Sequence, residues 1–418
     1  MSNAAILRLI GWYLLGVPLI SSLNGLSMHL LGVSVLGPIY HALFSALLIG
    51  VALVSGVVEK SWGTITLLFG TFAALVATQL ASGFSLPADV GQLYKWFMPL
   101  LLFAVYYRWS YFQTDEGRAA LVTVFQRLPV WYSALITLSL VVYVLTGFEA
   151  TVFEQGVRRF SGFTWAYNPV VNAFFICGYV NYFVGETSLL RTLFYVFAFY
   201  NLRSKTSIIY FTLAALGLVR RMWGAAWRFG VLRWAGAVPV TAAVLWIGLR
   251  ASLQATTIYG GGTGSQSSVT RFVQEVQWRG VLAAVALADI PQWPTANLLV
   301  GNGMEIDRRL VDPMWASTIG VAKFGDVDLT KSNKAPELDF LGPVDIFGLV
   351  GMACFVAVFY LYPLIVARSR MFRRYYVLLI VLSLLSGHLI NNPEATTLLV
   401  FFILLARDYP GVHRGMVS

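Results

Sequence analysis

Charged side chains with the chemistry to act on a phosphorylated substrate occur in four short segments that lie between apolar stretches of the chain. In three of these segments the candidate groups are arginine or lysine, and in the fourth they are two carboxylates. The candidate residues are Arg158, Arg159 and Asn168 in the first segment, Arg203 and Lys205 in the second, Arg271 in the third, and Glu337 and Asp339 in the fourth.

These residue types suit the transfer of a sugar from a pyrophosphate leaving group to a hydroxyl acceptor. An arginine guanidinium binds phosphate oxygens through two parallel hydrogen bonds and keeps its charge. We therefore expect Arg159 and Arg271 to stabilise a departing diphosphate without a metal ion. A carboxylate can accept the proton of the attacking hydroxyl, and Glu337, with Asp339 as the second candidate, is the expected base. The competing interpretations are headgroup contacts or loop salt bridges for the arginines and ordinary loop acids for the carboxylates.

Further contacts to the substrate are expected from polar residues near the same segments. The residues expected to bind it are Arg158, Asn168, Arg203, Lys205 and His388. Arg203 and Lys205 could instead be interfacial anchors. His388 lies near the end of a predicted helix, where the alternative is a packed polar group. His41 is likewise either a substrate contact or a packed polar group.

Motifs for nucleotide and metal chemistry are absent from the sequence. The chain has no G-x-x-x-x-G-K-[ST], no H-E-x-x-H and no C-x-x-C, so we expect neither a P-loop nor a zinc site, and no metal or cofactor. Asp326-Val327-Asp328 resembles a metal-binding D-x-D, but it lies in a loop predicted to face away from the cytoplasm, where nucleotide sugars are not supplied.

Gly301-Asn302-Gly303 is predicted to be a turn. Cys177 and Cys354 lie in apolar runs and are expected to be small buried residues, not a disulfide.

The elements that must position these residues are apolar helices. The chain is 58% hydrophobic and only 11% charged, whereas soluble domains carry about 25% charged residues. Its apolar runs approach the length of a membrane-spanning helix, roughly 20 residues. The runs are 4–23, 39–58, 62–80, 91–109, 128–145, 169–184, 189–200, 206–219, 229–249, 347–366, 375–389 and 396–405. The predicted fold is an all-α polytopic membrane protein with about twelve transmembrane helices and a large extracytoplasmic loop.

The distribution of lysine and arginine predicts the orientation of these helices. With the amino terminus in the cytoplasm, 16 of the 29 basic residues but only 5 of the 19 acidic residues fall on the cytoplasmic side, as the positive-inside rule requires. The net charge of +10 then lies at the cytoplasmic membrane surface, where anionic lipids attract it. This accounts for the basic composition, and no nucleic-acid partner is expected. Both termini are predicted to be cytoplasmic. The predicted division is a first helix bundle over 1–249, an extracytoplasmic loop over 250–345 that contains a helix over 269–290, and C-terminal transmembrane helices over 346–418.

Four motifs on the predicted outer face occur in an order that resembles a known superfamily. They are the arginines of the first segment with Gly162 and Asn168-Pro169, the turn Ser204-Lys205-Thr206, Arg271 in the long loop, and the polar residues Lys334 to Leu341 before the helix with Gly348-Leu349-Val350-Gly351. In this order they resemble the O-antigen polymerase and ligase superfamily over roughly residues 158–351. Glu337 and Asp339 stand where ligases commonly have a histidine, which favours a polymerase.

The resemblance implies an inverting glycosyl transfer at the outer face of a bacterial inner membrane. The expected function is polymerisation of polyprenyl-pyrophosphate-linked repeat units into a surface polysaccharide such as O-antigen, capsule or exopolysaccharide. The expected partners are the lipid-linked glycan donor and acceptor, membrane lipids and a chain-length regulator. Two alternatives remain open. One is a ligase that moves the glycan to lipid A core or to protein, and the other is a flippase or transporter of lipid-linked oligosaccharide, although paired halves typical of transporters are not evident.

Overall fold

The computed structural model is helical throughout most of the residues that it describes. These are residues 2–33, 35–55, 57, 63, 66, 70, 88–148, 152–154, 157–164, 168–184, 187–204, 206–229, 238–250, 283–302, 341–386, 389 and 392–407. The predicted helical class is confirmed. The exception is a small antiparallel hairpin, β1 (Val152–Glu154) and β2 (Val157–Arg159), which the sequence interpretation did not include.

The helices follow one another along the described parts of the chain. In chain order they are α1 (Asn3–Leu31), α2 (Leu36–Val54), α3 (Ala88–Tyr106), α4 (Asp115–Thr146), α5 (Asn168–Tyr179), α6 (Leu189–Asn201), α7 (Ser207–Phe229), α8 (Val238–Arg250), α9 (283–289), α10 (Thr295–Val300), α11 (Leu341–Val356), α12 (Tyr362–Val366), α13 (Arg370–Ser386) and α14 (Pro393–Arg407). Single π-helical turns extend α5 over Val180–Val184 and join α11 to α12 over Ala357–Leu361.

Several helices are long and apolar enough to cross a membrane. Within the described residues, four stretches combine sufficient length with sufficient hydropathy: Asn3–Leu31, Leu36–Val54, Asp115–Thr146 and Pro343–Val366. Shorter apolar helices occur at Phe97–Tyr106, Ser207–Arg220, Val238–Arg250 and Glu394–Leu405. These helices indicate a membrane protein. The predicted run 62–80 lies largely outside the described residues.

The predicted start of one helix requires correction. The apolar pattern leaves 115–127 in a cytoplasmic loop, but this stretch forms the first turns of α4, which is 32 residues long. Asp115 and Glu116 lie in the first turn, where carboxylates interact favourably with the helix dipole, and the apolar residues Leu121, Val124 and Phe125 are buried at helical spacing. The predicted loop 250–345 contains α9 and α10, and α11 begins before Asp345. Of the helix predicted over 269–290, the described part, 283–289, is helical.

The helices group into two compact units. The first unit comprises Met1–Ile6, His41–Thr114 and Phe272–Pro410, and the second comprises Leu7–Tyr40, Asp115–Arg271 and Gly411–Ser418. In the first unit, the Tyr106 hydroxyl of α3 donates a hydrogen bond to the Leu48 carbonyl of α2 at 2.9 Å, and its ring packs on Phe401 of α14. These contacts tie α2, α3 and α14 together.

An aromatic cluster forms the core of the second unit. The rings of Phe199 on α6 and Tyr210 on α7 stack with their centroids 4.2 Å apart, and Phe174 of α5 meets both edge-on. The buried Asn181 donates its side-chain amide to the Phe125 carbonyl of α4 at 3.2 Å. These contacts fix α4, α5, α6 and α7 against each other, and the first two candidate segments lie at the ends of these helices.

Candidate functional site

The hairpin β1–β2 determines the backbone of the first arginine pair. Its register pairs Arg159 with Val152 and Arg158 with Phe153. Arg159 is directly followed by Phe160, whose side chain is buried against Tyr143 near the end of α4. The hairpin is therefore anchored to the helices of the second unit through the residue next to Arg159.

A tight turn over residues 161–164 follows the hairpin. The Ser161 hydroxyl donates to the Thr164 carbonyl and the Thr164 hydroxyl donates to the Ser161 carbonyl, each at 2.9 Å. Gly162 has a φ of +72° and lies against Leu135 and Ile136 of α4. Phe163 also has a positive φ, 66°. This turn packs directly on α4 and leads toward Asn168, the first residue of α5, which is half-buried.

The second segment begins where α6 ends. Leu202 caps the helix with right-handed helical backbone dihedrals, and Arg203 has a left-handed backbone with a φ of 47°. The Arg203 N–H donates to the Tyr200 carbonyl at 3.1 Å, and the Ser207 hydroxyl donates to the Ser204 carbonyl at 2.6 Å. These hydrogen bonds stabilise the reversal that turns the chain from α6 into α7. Arg203 is half-buried and has no ion pair with a carboxylate among the described residues.

A hydrogen bond joins these two segments. The Phe160 N–H donates to the Asn201 carbonyl at 3.1 Å. Phe160 follows Arg159, and Asn201 is the last residue of α6, two positions before Arg203. The structure therefore brings together the backbones of the first and second predicted segments, which are separated by α5 and α6 in the sequence. Between them these segments carry Arg158, Arg159 and Arg203, and arginine is the residue type best suited to binding a phosphate or pyrophosphate.

The remaining predicted site residues fall in parts of the chain that the structure does not describe. Lys205, Arg271, Glu337, Asp339 and His388 lie outside the described residues. Within the part of the chain that is described, no group of three or more His, Cys, Asp or Glu residues could hold a metal ion. Cys177 and Cys354 are both free thiols, so they do not form a disulfide with each other.

His41 has a charged neighbour that the sequence interpretation did not identify. Its Nε2 lies 3.8 Å from Oε1 of Glu394, with the two side chains only 3% and 16% exposed. Glu394 is in the first turn of α14, where the side chain of Asn392 accepts hydrogen bonds from the Glu394 and Ala395 N–H groups. Asn-Pro-Glu is a recognisable helix start. The pairing with His41, however, joins distant parts of the sequence and has no local signal.

Asp345 is a buried acidic group that sequence reasoning also missed. It is 2% exposed near the start of α11 and accepts hydrogen bonds from Asn302. Of the predicted turn over 301–303, the described part, Gly301 and Asn302, follows α10, and Gly301 has a φ of 86°. In the sequence, Asp345 lies just before the apolar run 347–366. An acidic residue at that place is equally typical of an exposed loop end, so its burial could not be predicted.

Comparisons with known proteins give no further assignment. No family model matches the chain, and no curated protein or solved structure matches it significantly.

Proposed function

We propose that this protein polymerises polyprenyl-pyrophosphate-linked oligosaccharide repeat units at the outer face of a bacterial inner membrane. The observation that carries the proposal is the hydrogen bond from Phe160 to Asn201, which joins the arginine-bearing hairpin to the Arg203 turn. Two cationic segments meet there, and the described residues offer Arg203 no carboxylate. A multiply charged pyrophosphate is a fitting ligand for segments of this composition.

In the proposed reaction, a hydroxyl oxygen of the acceptor repeat unit attacks the anomeric carbon of the donor glycan. The bond between that carbon and the pyrophosphate oxygen breaks, and the anomeric configuration inverts. Glu337, with Asp339 as the second candidate, takes the hydroxyl proton. Arg159 and Arg271 stabilise the charge of the departing polyprenyl diphosphate, and Arg158, Arg203, Lys205, Asn168 and His388 contact the substrates.

The proposal also includes a topology. The chain crosses the membrane about twelve times, with both termini in the cytoplasm and residues 250–345 mainly outside. The energy for polymerisation resides in the sugar–pyrophosphate bond, so the reaction needs no nucleotide site. A ligase or a flippase would use the same lipid-linked substrate. The assay must therefore distinguish these two functions from polymerisation.

The test is reconstitution of the purified protein with purified lipid-linked repeat units. We expect wild-type protein to lengthen the glycan, and Arg159→Ala and Arg271→Ala to slow elongation roughly 30- to 1000-fold, which corresponds to about 2–4 kcal/mol of transition-state stabilisation. Glu337→Gln should bind substrate and accumulate single repeat units. Arg127→Ala is the matched control, because Arg127 is an exposed arginine on α4 in the predicted cytoplasmic half.

The same assay separates the alternatives. A ligase transfers preformed glycan to a second acceptor without lengthening it, and a flippase moves the lipid-linked unit between leaflets without chemical change. Either result with active wild-type protein would replace the polymerase proposal. Elongation at the wild-type rate by both arginine variants would remove Arg159 and Arg271 from the site.

A further inference from the structure

A proline inside α4 lies beside two backbone carbonyls that accept hydrogen bonds from other helices. Pro129 is buried, and because proline has no N–H, it cannot donate to the Phe125 carbonyl as a residue of an α-helix would. The Asn181 side-chain amide, on the π-helical turn that extends α5, donates to this carbonyl at 3.2 Å. The Tyr195 hydroxyl of α6 donates to the next carbonyl, that of Gln126, at 3.3 Å. Two neighbouring helices therefore supply donors where α4 lacks its own.

The direction of the Asn181 amide is determined by its other hydrogen bonds. Its side-chain oxygen accepts a bond from the Thr187 hydroxyl at 3.3 Å, and its backbone carbonyl accepts one from the same hydroxyl at 2.7 Å. Its side-chain nitrogen also donates to the Cys177 carbonyl at 2.9 Å. A rotated amide would place its oxygen against two carbonyl oxygens, which cannot donate. Asn181, which is 3% exposed, is thus held with its donors toward α4.

These donors matter because α4 is one of the helices long and apolar enough to cross a membrane. The hydrocarbon region contains no water to satisfy a carbonyl that a proline has released, so a proline is tolerated there when neighbouring helices provide the donor. A proline within a helix is also the usual cause of a kink. The bonds from Asn181 and Tyr195 therefore restrain the angle between residues 115–128 and residues 130–146 of α4.

The part of α4 beyond the proline carries the candidate segments. The turn over residues 161–164 packs on it at Leu135, and Phe160 packs on a tyrosine near the end of the same helix. The helix that contributes Tyr195, α6, ends at Asn201, whose carbonyl accepts the bond from the Phe160 N–H. Both helices that lead from the proline to the candidate segments are therefore fixed to each other at Pro129.

We propose that Asn181 and Tyr195 are positioning residues that hold the hairpin and the Arg203 turn at the spacing required to bind a pyrophosphate. When either donor is removed, the angle of α4 at Pro129 is less restrained, and the hairpin shifts relative to Arg203. An ion as small as a diphosphate is bound by two cationic segments only when their spacing is fixed. The identity of the ligand rests on the proposed function, whereas the contacts at Pro129 do not depend on it.

Two substitutions change the restraint with little change in packing. Tyr195→Phe removes the hydroxyl donor and keeps the ring, which packs edge-on against Phe174. Pro129→Ala restores the N–H that a helix uses to bond the Phe125 carbonyl and removes the cause of a kink. The matched control is Tyr182→Phe. Tyr182 is also buried in the second unit, but its hydroxyl bonds to another tyrosine and not to α4.

The two readouts are the affinity of the purified protein for a polyprenyl diphosphate and the thermal unfolding midpoint in detergent. We expect Tyr195→Phe to weaken binding about tenfold, as expected when one hydrogen bond to a charged group is lost. Pro129→Ala should also bind about tenfold more weakly, although its unfolding midpoint should equal or exceed that of the wild type because the helix gains a hydrogen bond. Tyr182→Phe should lower the midpoint and leave the affinity unchanged.

A double-mutant cycle tests the contact at the proline without any ligand. Asn181→Ala should lower the unfolding midpoint more in the wild-type protein than in the Pro129→Ala protein, because in the latter α4 itself supplies a donor to the Phe125 carbonyl. The cavity left by the smaller side chain is common to both backgrounds and cancels. An equal decrease in both backgrounds would overturn the inference that Asn181 compensates for the proline.

The outcomes separate this inference from the proposed function. Wild-type affinity in both Tyr195→Phe and Pro129→Ala would overturn the positioning role. Wild-type protein that binds the polyprenyl diphosphate but never elongates a glycan would overturn the polymerase proposal, and weaker binding by the two variants would still support the positioning role. Wild-type protein that does not bind the polyprenyl diphosphate would overturn both.

Discussion

Arg203 and Phe163 are the non-glycine residues with a positive φ among the described residues, and both lie in the segments that the Phe160–Asn201 hydrogen bond joins. A left-handed backbone costs a residue with a Cβ atom about 1 kcal/mol. The surrounding structure must supply that free energy. At Arg203 the contribution comes from the hydrogen bonds at the end of α6 and from the serine and threonine hydroxyls at the start of α7.

Replacing Arg203 separates its backbone cost from its charge. Arg203→Gly removes the left-handed penalty and the cation together. We expect its free energy of unfolding to be at least the wild-type value, with a gain of up to about 0.5–1 kcal/mol. Elongation should fall about 30-fold because a phosphate contact is lost. Arg203→Lys keeps the charge but not the two-pronged hydrogen bonding, so it should recover part of the rate. A glycine variant with full activity would show that the cation has no part in the reaction.

Residue type and order in the sequence predicted the candidate site residues, but not the residues that contact them. The sequence identified Arg203 through its place beside a Ser-Lys-Thr turn, yet a left-handed φ at an arginine has no local signature. The pairing of His41 with Glu394 and of Asn302 with Asp345 depends on contacts between residues far apart in the chain. Such contacts follow from helix packing, which a pattern of apolar residues does not specify.

At the scale of elements, the turn over residues 161–164 depends on its contact with α4. Two glycines allow the contact to be separated from the backbone conformation. Gly162 and Gly147 have nearly the same φ, +72° and +69°, but a Cβ at Gly162 would lie 3.0 Å from the Leu135 Cβ and 3.2 Å from the Ile136 N, whereas Gly147 has nothing within 4 Å.

We therefore expect Gly162→Ala to destabilise the protein more than Gly147→Ala. Both variants incur about 1 kcal/mol from the positive φ, and Gly162→Ala adds about 1–3 kcal/mol from overlap with α4. Thermal unfolding in detergent measures the difference. Elongation should fall for Gly162→Ala alone, because the turn next to Arg159 would move. Equal unfolding midpoints for the two variants would mean that the turn can shift away from α4 at no cost.

Hydropathy predicts the presence of the long helices better than the positions of their ends. The apolar pattern found the membrane-length helices, since burial in lipid requires about 20 apolar residues. It placed the start of α4 too late because four charged residues, Asp115, Glu116, Arg118 and Arg127, interrupt the apolar pattern in the first turns of that helix. It also read the run from residue 347 as uninterrupted, whereas α11 is interrupted at Gly348 by close contact with Gly301.

For the whole molecule, the orientation in the membrane decides whether the arginine segments can meet a lipid-linked substrate at the outer face of the inner membrane. The cytoplasmic assignment of the arginine-rich connections predicts that the hairpin and the Arg203 turn lie on the outer face. In the first unit, the His41–Glu394 contact brings the starts of α2 and α14 close together. This agrees with the alternation of crossings that we propose, in which both of these ends face outward.

The two ends of α4 offer the sharpest test of this orientation. The helix has 32 residues, so it is about 48 Å long and exceeds a hydrocarbon core of roughly 30 Å. Its ends should therefore emerge on opposite sides of the membrane. Glu116 and Thr146 are both exposed and lie near these ends, which makes them suitable positions for single cysteines. Cys354, which is half-buried, is first replaced by serine, whereas Cys177 is fully buried.

In intact cells, a membrane-impermeant maleimide should label Thr146→Cys and leave Glu116→Cys unlabelled until the membrane is permeabilised. The reason is that Arg118 and Arg127 retain the start of α4 in the cytoplasm under the positive-inside rule. The reverse pattern would keep α4 as a spanning helix but invert the protein and place the arginine segments where no exported substrate occurs. Labelling of both positions in intact cells would show that α4 does not cross the membrane, and the proposed topology would fail at its longest helix.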